Sequence, residues 1–183
     1  MEFPETITHE ELIDRCKRGD SSGYTGLYNQ HAKEVYNTIY RLVNHTAEAE
    51  DILQDSFVAA FQAIAGFENT GGFRAWIKRI ATNKSIDAIR KRKMKWVELE
   101  PSGIVVADES IDEKEFDFTV ETVRRAIDAL PEAYRIIFQL YVIEDIPQVE
   151  IAQMLGLANN TVRIQYHRAK QKILTTLKQG GLS

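Results

Sequence analysis

Gln148-Val-Glu-Ile-Ala-Gln-Met-Leu-Gly-Leu157, followed by Asn159-Asn-Thr-Val-Arg163, reads as a short helix, a glycine turn and a second capped helix. Ala152 falls where two helices must cross closely, and Gly156 supplies the backbone freedom of the turn. Val162 plugs the angle together with Ile151, Leu155 and Leu157. A small residue, a permissive backbone and branched apolar residues at these spacings are the helix-turn-helix solution used to present a helix to DNA. A helical hairpin without a DNA role would satisfy the same packing, so the outward residues of the second helix matter. They are Arg163, Gln165, His167, Arg168, Lys170 and Lys172, against an expected buried seam of Val162, Tyr166, Ala169, Ile173 and Leu177. An arginine in a first helical turn opposes the helix dipole. Arg163 therefore lacks a stability reason for its place, and a phosphate or a base edge would provide one. Arg can bind guanine and Gln adenine bidentately, but the residue types alone do not separate base contacts from backbone contacts.

Working outward from this motif, helical periodicity recurs almost everywhere. Upstream, Phe116, Val120, Val123, Ile127 and Leu130 predict one helix. Pro131 predicts the start of the next, with Tyr134, Ile137, Phe138, Tyr141 and Val142 as its inner face. Residues 97–117 carry one basic and eight acidic groups and contain Pro101-Ser-Gly103, which reads as a linker. Further towards the N-terminus, Thr8-x-x-Glu11 is a capping box for a helix to about Lys17, and Gly19 punctuates its end. Tyr24, Leu27, Tyr28, Val35, Ile39, Leu42 and Val43 line a long second helix that Asn44 and His45 break. Thr46 is the expected cap of a third helix, striped by Ala49, Ile52, Leu53, Phe57, Ala60, Phe61 and Ile64. Gly66 to Gly72 reads as a loop. A fourth helix from near Phe73 turns Trp76, Ile77, Ile80 and Ala81 inward and ends in Arg90-Lys-Arg-Lys93, with Lys95 and Trp96 behind it. The expected fold is all-α: a four-helix domain over residues 1–96, an acidic flexible linker over 97–115 and a helix-turn-helix domain over 116–183.

The 183 residues are 44% hydrophobic and 27% charged, which excludes collagen-like and low-complexity classes. The net charge of −4 is unevenly distributed: +1 over residues 1–96, −7 over 97–117 and +2 over 118–183. The single cysteine, Cys16, cannot form an internal disulfide and is expected in the core. His9, His31, His45 and His167 show no paired metal-ligand spacing, so neither metal nor cofactor is expected. No nucleophile–base pair or phosphate loop suggests an enzyme. With no signal peptide and no apolar run near the ~18 residues that span a bilayer, a cytoplasmic protein without membrane insertion is expected.

Two further surfaces carry chemistry. Between Phe73 and Lys95 there are nine Lys or Arg residues and one acid, Asp87, interleaved with the aromatics Phe67, Phe73 and Trp76. A basic groove beside aromatic rings suits single-stranded DNA. The competing reading makes Arg90 to Lys93 a favourable helix C-terminus and Trp76 a core residue. On the third helix, Asp51, Gln54, Asp55 and Val58 mark a face opposite the apolar stripe, either a solvated surface or a docking site for a basic partner.

Leu27-Tyr-Asn-Gln-His-Ala-Lys-Glu-Val-Tyr36, Ala49-Glu-Asp-Ile-Leu-Gln-Asp-Ser-Phe57 and the run from Phe73 to Arg90 resemble the second-region domain of bacterial RNA polymerase sigma factors. Ala129-Leu-Pro-Glu-Ala-Tyr134, Glu150 to Leu157, Thr161-Val-Arg163 and His167-Arg-Ala-Lys170 resemble their fourth-region domain. With no room for a domain between these two, the chain is similar to the extracytoplasmic-function (ECF) group of the sigma-70 family. The resemblance implies a transcription initiation factor with no chemistry of its own. Asp51, Gln54, Asp55 and Val58 would meet the beta-prime clamp of core RNA polymerase, and the C-terminal domain would lean on the beta flap. The Gly66 to Phe73 loop, with Phe67, Phe73, Trp76, Lys78, Arg79, Asn83, Asp87 and Arg90, would read the minus-10 promoter element by capturing an unstacked base. Thr161, Arg163, Ile164, Gln165, His167, Arg168 and Lys170 would meet the minus-35 element in the major groove. An anti-sigma factor is an implied partner. Asn160 stands where the family usually has Gly, and Ile164-Gln165 replaces a common Ser-Arg pair, so a relative's promoter sequence does not transfer. The alternative is a self-sufficient helix-turn-helix regulator, which would bind its operator without polymerase.

Overall fold

The computed structural model describes residues 8–68, 71–92 and 119–180. The expected linker, together with Lys93, Lys95, Trp96 and Phe116, lies outside the described residues. Those that are described form helices and turns with no strand, in two compact units that divide after Lys91.

In the N-terminal unit, α1 (His9–Lys17) opens on Thr8, whose Oγ1 accepts the Glu11 N–H at 3.2 Å. Only half of the capping box forms, because the Glu11 carboxylate instead takes the Arg15 guanidinium at 2.6 Å. Past α1 the Gly19 and Asp20 N–H groups return to the Cys16 and Arg15 carbonyls, satisfying the helix end. Asp20 then caps α2 (Ser21–Val43) by accepting the Ser22 N–H at 2.9 Å. The two helices cross closely at Gly23, where a Cβ would lie 2.7 Å from both the Cys16 nitrogen and the Leu12 oxygen. Cys16 is buried at this crossing, and desolvation pushes its thiol pKa up.

Asn44, in the left-handed region at φ 52°, ends α2. The cap of α3 (Thr46–Ala63) is His45 rather than Thr46, with Nδ1 accepting the Glu48 N–H at 3.3 Å. A 3-10 turn (Ile64–Gly66) leads to Phe67, and α4 (Gly72–Lys91) packs on α2 and α3. The seam of α4 is Phe73, Ile77, Ala81, Thr82, Ser85, Ile86 and Ile89. Trp76 and Ile80 are only half-buried, because two helices cover α4 along a stripe one residue away from them. The buried Ser85 and Ser56 hydroxyls each donate to the carbonyl four residues back, so neither needs another partner.

The C-terminal unit contains α5 (Val120–Asp128), α6 (Glu132–Phe138), a π turn (Gln139–Ile143), α7 (Gln148–Leu155) and α8 (Asn159–Gly180). Ala126, Leu130, Tyr134, Ala169, Ile173 and Leu177 form one cluster, against which Val123, Ile127 and Phe138 pack. Val120, expected inside, is 87% exposed because it opens α5 one turn before α8 begins to cover that helix. Tyr141 and Val142 are also outside, while Ile136, Ile137 and Leu140 are buried. The cause is coverage: α8 packs along α6 and leaves the π turn chiefly to α7. The Tyr141 ring keeps one edge contact, to Tyr166 at 4.7 Å.

The turn between α7 and α8 follows the sequence closely. Gly156 has φ 68° and open space around its Cα, so it is required for backbone conformation and not for room. The Leu157 N–H returns to the Ala152 carbonyl at 2.9 Å and the Gly156 N–H to Gln153 at 3.3 Å, a Schellman closure. Ile151, Leu155 and Val162 are buried in the angle it makes.

Candidate nucleic-acid interfaces

In the N-terminal unit, Ala63, Gly66, Phe67, Glu68, Gly71, Gly72, Ala75, Trp76 and Arg79 line an open groove of about 720 Å³. The polypeptide reverses between the 3-10 turn and α4 here, and small residues leave the space. The three expected stacking aromatics behave differently. Phe73 is fully buried and meets His9, His31, Phe61, Phe67 and Trp76, so it cannot offer a face to a base. Phe67 is also buried, with its ring 4.7 Å from Trp76, and only borders the groove. The expectation that these two rings stack on DNA is therefore corrected: they are the floor on which the half-buried Trp76 stands.

Arg79, Asn83, Asp87 and Arg90 are exposed at spacings of four, four and three residues, one outward stripe of α4 beside the groove. Basic residues nearer the α4 N-terminus are tied to the protein. Arg74 makes a bidentate pair with Glu34 on α2, Nε to Oε2 at 2.8 Å and Nη2 to Oε1 at 2.6 Å. Lys78, half-buried, sits 3.8 Å from the same carboxylate. Hydrogen bonding from Arg74, opposed by burial and aided by both cations, holds the Glu34 pKa below the usual carboxylate range. The basic surface thus loses part of its field to an internal acid. That pair joins residues 40 apart in the chain, and no local signal announces it.

On α3, Asp51, Gln54, Asp55 and Val58 are all exposed, Val58 to 54%, on the face opposite Ala49, Ile52, Leu53, Ser56 and Phe57. They form a contiguous acidic and polar strip with an aliphatic end.

On α8, Arg163 and Lys170 are exposed, and Thr161, Ile164, His167 and Arg168 are partly so. Gln165 departs from the expectation. It is 0% exposed, one turn after Val162 and one before Ala169, on the seam that continues through Ile173 and Leu177. Neither its Nε2 nor its Oε1 has a hydrogen-bond partner among the described residues. Gln165 is thus a core residue and is withdrawn from the DNA-contacting set. Its polarity suggested an outward position, yet tertiary packing placed it on the inner stripe.

One contact went unseen in the sequence. His9 and His31, 22 residues apart, approach Nε2 to Nε2 at 2.8 Å with rings edge to face. One ring must donate and the other accept. Among the described residues no group of three or more His, Cys, Asp or Glu side chains gathers as metal ligands, and no helix is long and apolar enough to cross a membrane.

Two family models match this chain, Sigma-70 region 2 over residues 27–94 and Sigma-70 region 4 over residues 121–173. The ECF RNA polymerase sigma factor SigW of Bacillus subtilis (strain 168) is 30% identical, with 92% of this chain and 96% of that protein aligned. The ECF RNA polymerase sigma factor SigE of Mycolicibacterium smegmatis is 31% identical over 80% of this chain and 58% of its own, longer, length. Among solved structures, the sigma factor RpoE in complex with the anti-sigma factor NepR from Bartonella quintana shares the fold, with a TM-score of 0.50 and 21% identity over 85% of this chain and 96% of that one. With both region models matched in order and a full-length relative at this identity, the chain belongs to the sigma-70 family, in its ECF group of RNA polymerase sigma factors.

Proposed function

We propose that this chain, a transcription initiation factor of the ECF group that directs RNA polymerase to promoters, divides that task between its two units. The N-terminal unit, within residues 1–96, docks core polymerase through Asp51, Gln54, Asp55 and Val58 on α3, a strip suited to a basic and partly apolar beta-prime clamp surface. Beside it, the groove under Trp76 and Arg79 takes an unstacked minus-10 base, with Asn83, Asp87 and Arg90 along the strand. The C-terminal unit, within residues 116–183, lays α8 in the major groove of the minus-35 element, with Arg163, Ile164, His167 and Arg168 foremost and Thr161 and Lys170 flanking. Exposed Val142, Ile143 and Val149 offer apolar surface to the beta flap. An anti-sigma factor covers one or more of these faces in the silent state. The protein acts in the cytoplasm and catalyses no reaction itself.

The observation that carries this reading is the presence on one short chain of two different DNA-suited shapes. An open groove edged by one aromatic and one guanidinium suits melted DNA. A Schellman-closed helix-turn-helix suits the duplex, whose major groove displays sequence. Unstacking a base costs a few kcal/mol, which polymerase contacts must offset, so the factor alone binds promoters poorly. Run-off transcription with core polymerase over a genomic promoter library tests the reading. Transcripts that need both core enzyme and this chain are expected; a library that yields none refutes it.

A further inference from the structure

Helix α1 touches Phe67, which lines the groove, and Phe73, which packs on Phe67 and Trp76. At its C-terminus the Lys17 ammonium donates to the Phe67 carbonyl at 3.0 Å. At its N-terminus the His9 ring, joined to His31, lies 6.1 Å from the ring of Phe73, and His31 lies 5.5 Å from it. Phe67 lines the groove and Phe73 does not, and both rings pack on Trp76. The two phenylalanines are not held equally. Phe73 is fully buried within α4 and needs no further restraint, whereas Phe67 follows a single 3-10 turn, and its N–H is engaged locally by Ile64. Its carbonyl is fixed by Lys17 from 50 residues away. The Lys17 position at the α1 C-terminus is favourable by helix dipole alone, but that does not require the side chain to reach across to another element.

We propose that Lys17 is a positioning residue for promoter melting: by clamping the Phe67 carbonyl it fixes the Phe67 ring under Trp76, and so how Trp76 and Arg79 are presented to an unstacked base in the groove. This rests on the groove reading above. Lys17 touches no DNA; it acts through the backbone of Phe67, and α1 becomes the brace of the base-reading loop.

The test uses holoenzyme assembled from core polymerase and the full chain, on forked promoter DNA carrying 2-aminopurine at the unpaired minus-10 position. Lys17→Met is expected to weaken capture about five- to tenfold, the loss of one charge-assisted hydrogen bond. Affinity for core polymerase and closed-complex binding at the minus-35 element stay within about twofold, since neither surface includes α1. Lys17→Arg, which keeps a cationic donor, restores capture. Trp76→Ala is the control for the groove. Normal capture by Lys17→Met alongside a loss in Trp76→Ala overturns the brace and leaves the groove; normal capture by both overturns the groove reading and the brace with it. Failure of Lys17→Arg to rescue, or an equal loss of core affinity in Lys17→Met, assigns Lys17 to general stability and also overturns the proposal.

Discussion

Replacing Gln165 by Met separates a core role from a DNA-contacting role in one experiment. The side chain is fully buried, and both polar atoms of its amide lack partners among the described residues. A buried group left without its hydrogen bond costs about 1–3 kcal/mol, and replacement by an apolar group of similar shape removes that cost. Met is unbranched where Gln forks at its amide, but it matches Gln in length and nearly in volume, so the site stays filled and the seam from Val162 to Ala169 is little disturbed. Gln165→Met should therefore stabilise the C-terminal unit by about 1–3 kcal/mol, and even the lower figure raises the midpoint of a domain this small by about 4–8 °C. The assay exploits the distribution of aromatics. Of the two tryptophans, Trp76 lies in the N-terminal unit and Trp96 outside the described residues; Tyr134, Tyr141 and Tyr166 lie in the C-terminal unit, while Tyr24, Tyr28, Tyr36 and Tyr40 lie on α2. In a Trp96→Phe background Trp76 fluorescence follows the N-terminal unit alone, and the tyrosine near-ultraviolet transition that occurs apart from it follows the C-terminal unit. Upstream-element recognition by the holoenzyme should be unchanged. A lower tyrosine-monitored midpoint, or a changed preference at any minus-35 base pair, would mean that the amide is paired or reaches DNA, and the assignment of Gln165 to the core would fall.

Other consequences are as direct. Gly156→Ala places a Cβ in a left-handed residue with free space around it, so a loss of about 1–2 kcal/mol from conformational strain alone is expected in the tyrosine-monitored melt; Gly156→Asn should lose less. Gly23→Ala pushes a Cβ against the backbone of α1 and should cost the N-terminal unit about 1–3 kcal/mol, read by Trp76 fluorescence. Burial first, and then the neighbouring His9, lower the His31 pKa from its ordinary 6.5; the other charges facing the pair are Glu34, which opposes the shift, and Arg74. The unfolded chain accordingly takes the proton first: stability of the N-terminal unit is full above that value and is lost as pH falls through it. A Trp76-monitored midpoint that does not fall between pH 7.5 and 5.5, or a fall that persists undiminished in His31→Gln, counts against this coupling. Charge reversal in Asp55→Lys should leave both melts unchanged and cut core-polymerase affinity by about tenfold or more, measured by competition with a labelled sigma factor.

Much of the backbone was legible because its signals are local. Thr8 and Gly156 act through backbone groups within a few residues, and their helices start or stop as the sequence predicts. The stripe of α3 and the helix-turn-helix angle follow from periodicity, which needs no knowledge of the partner surface. Where an apolar stripe met incomplete coverage, as at Val120, Tyr141 and Val142, periodicity named a face that the small C-terminal unit does not cover.

The sequence by itself determined the all-helical order, the Gly156 turn and the outward strip on α3, since each depends on residues within a turn or two of one another. Only the tertiary structure decided which polar and aromatic groups the packing would take in. Gln165 went inside, Phe67 and Phe73 were buried beneath Trp76 instead of offering stacking faces, and Glu34 claimed Arg74. His9 and His31, and Lys17 and Phe67, meet across 22 and 50 residues. Such contacts arise where helices cross, and a helical period specifies a face but not what will be pressed against it.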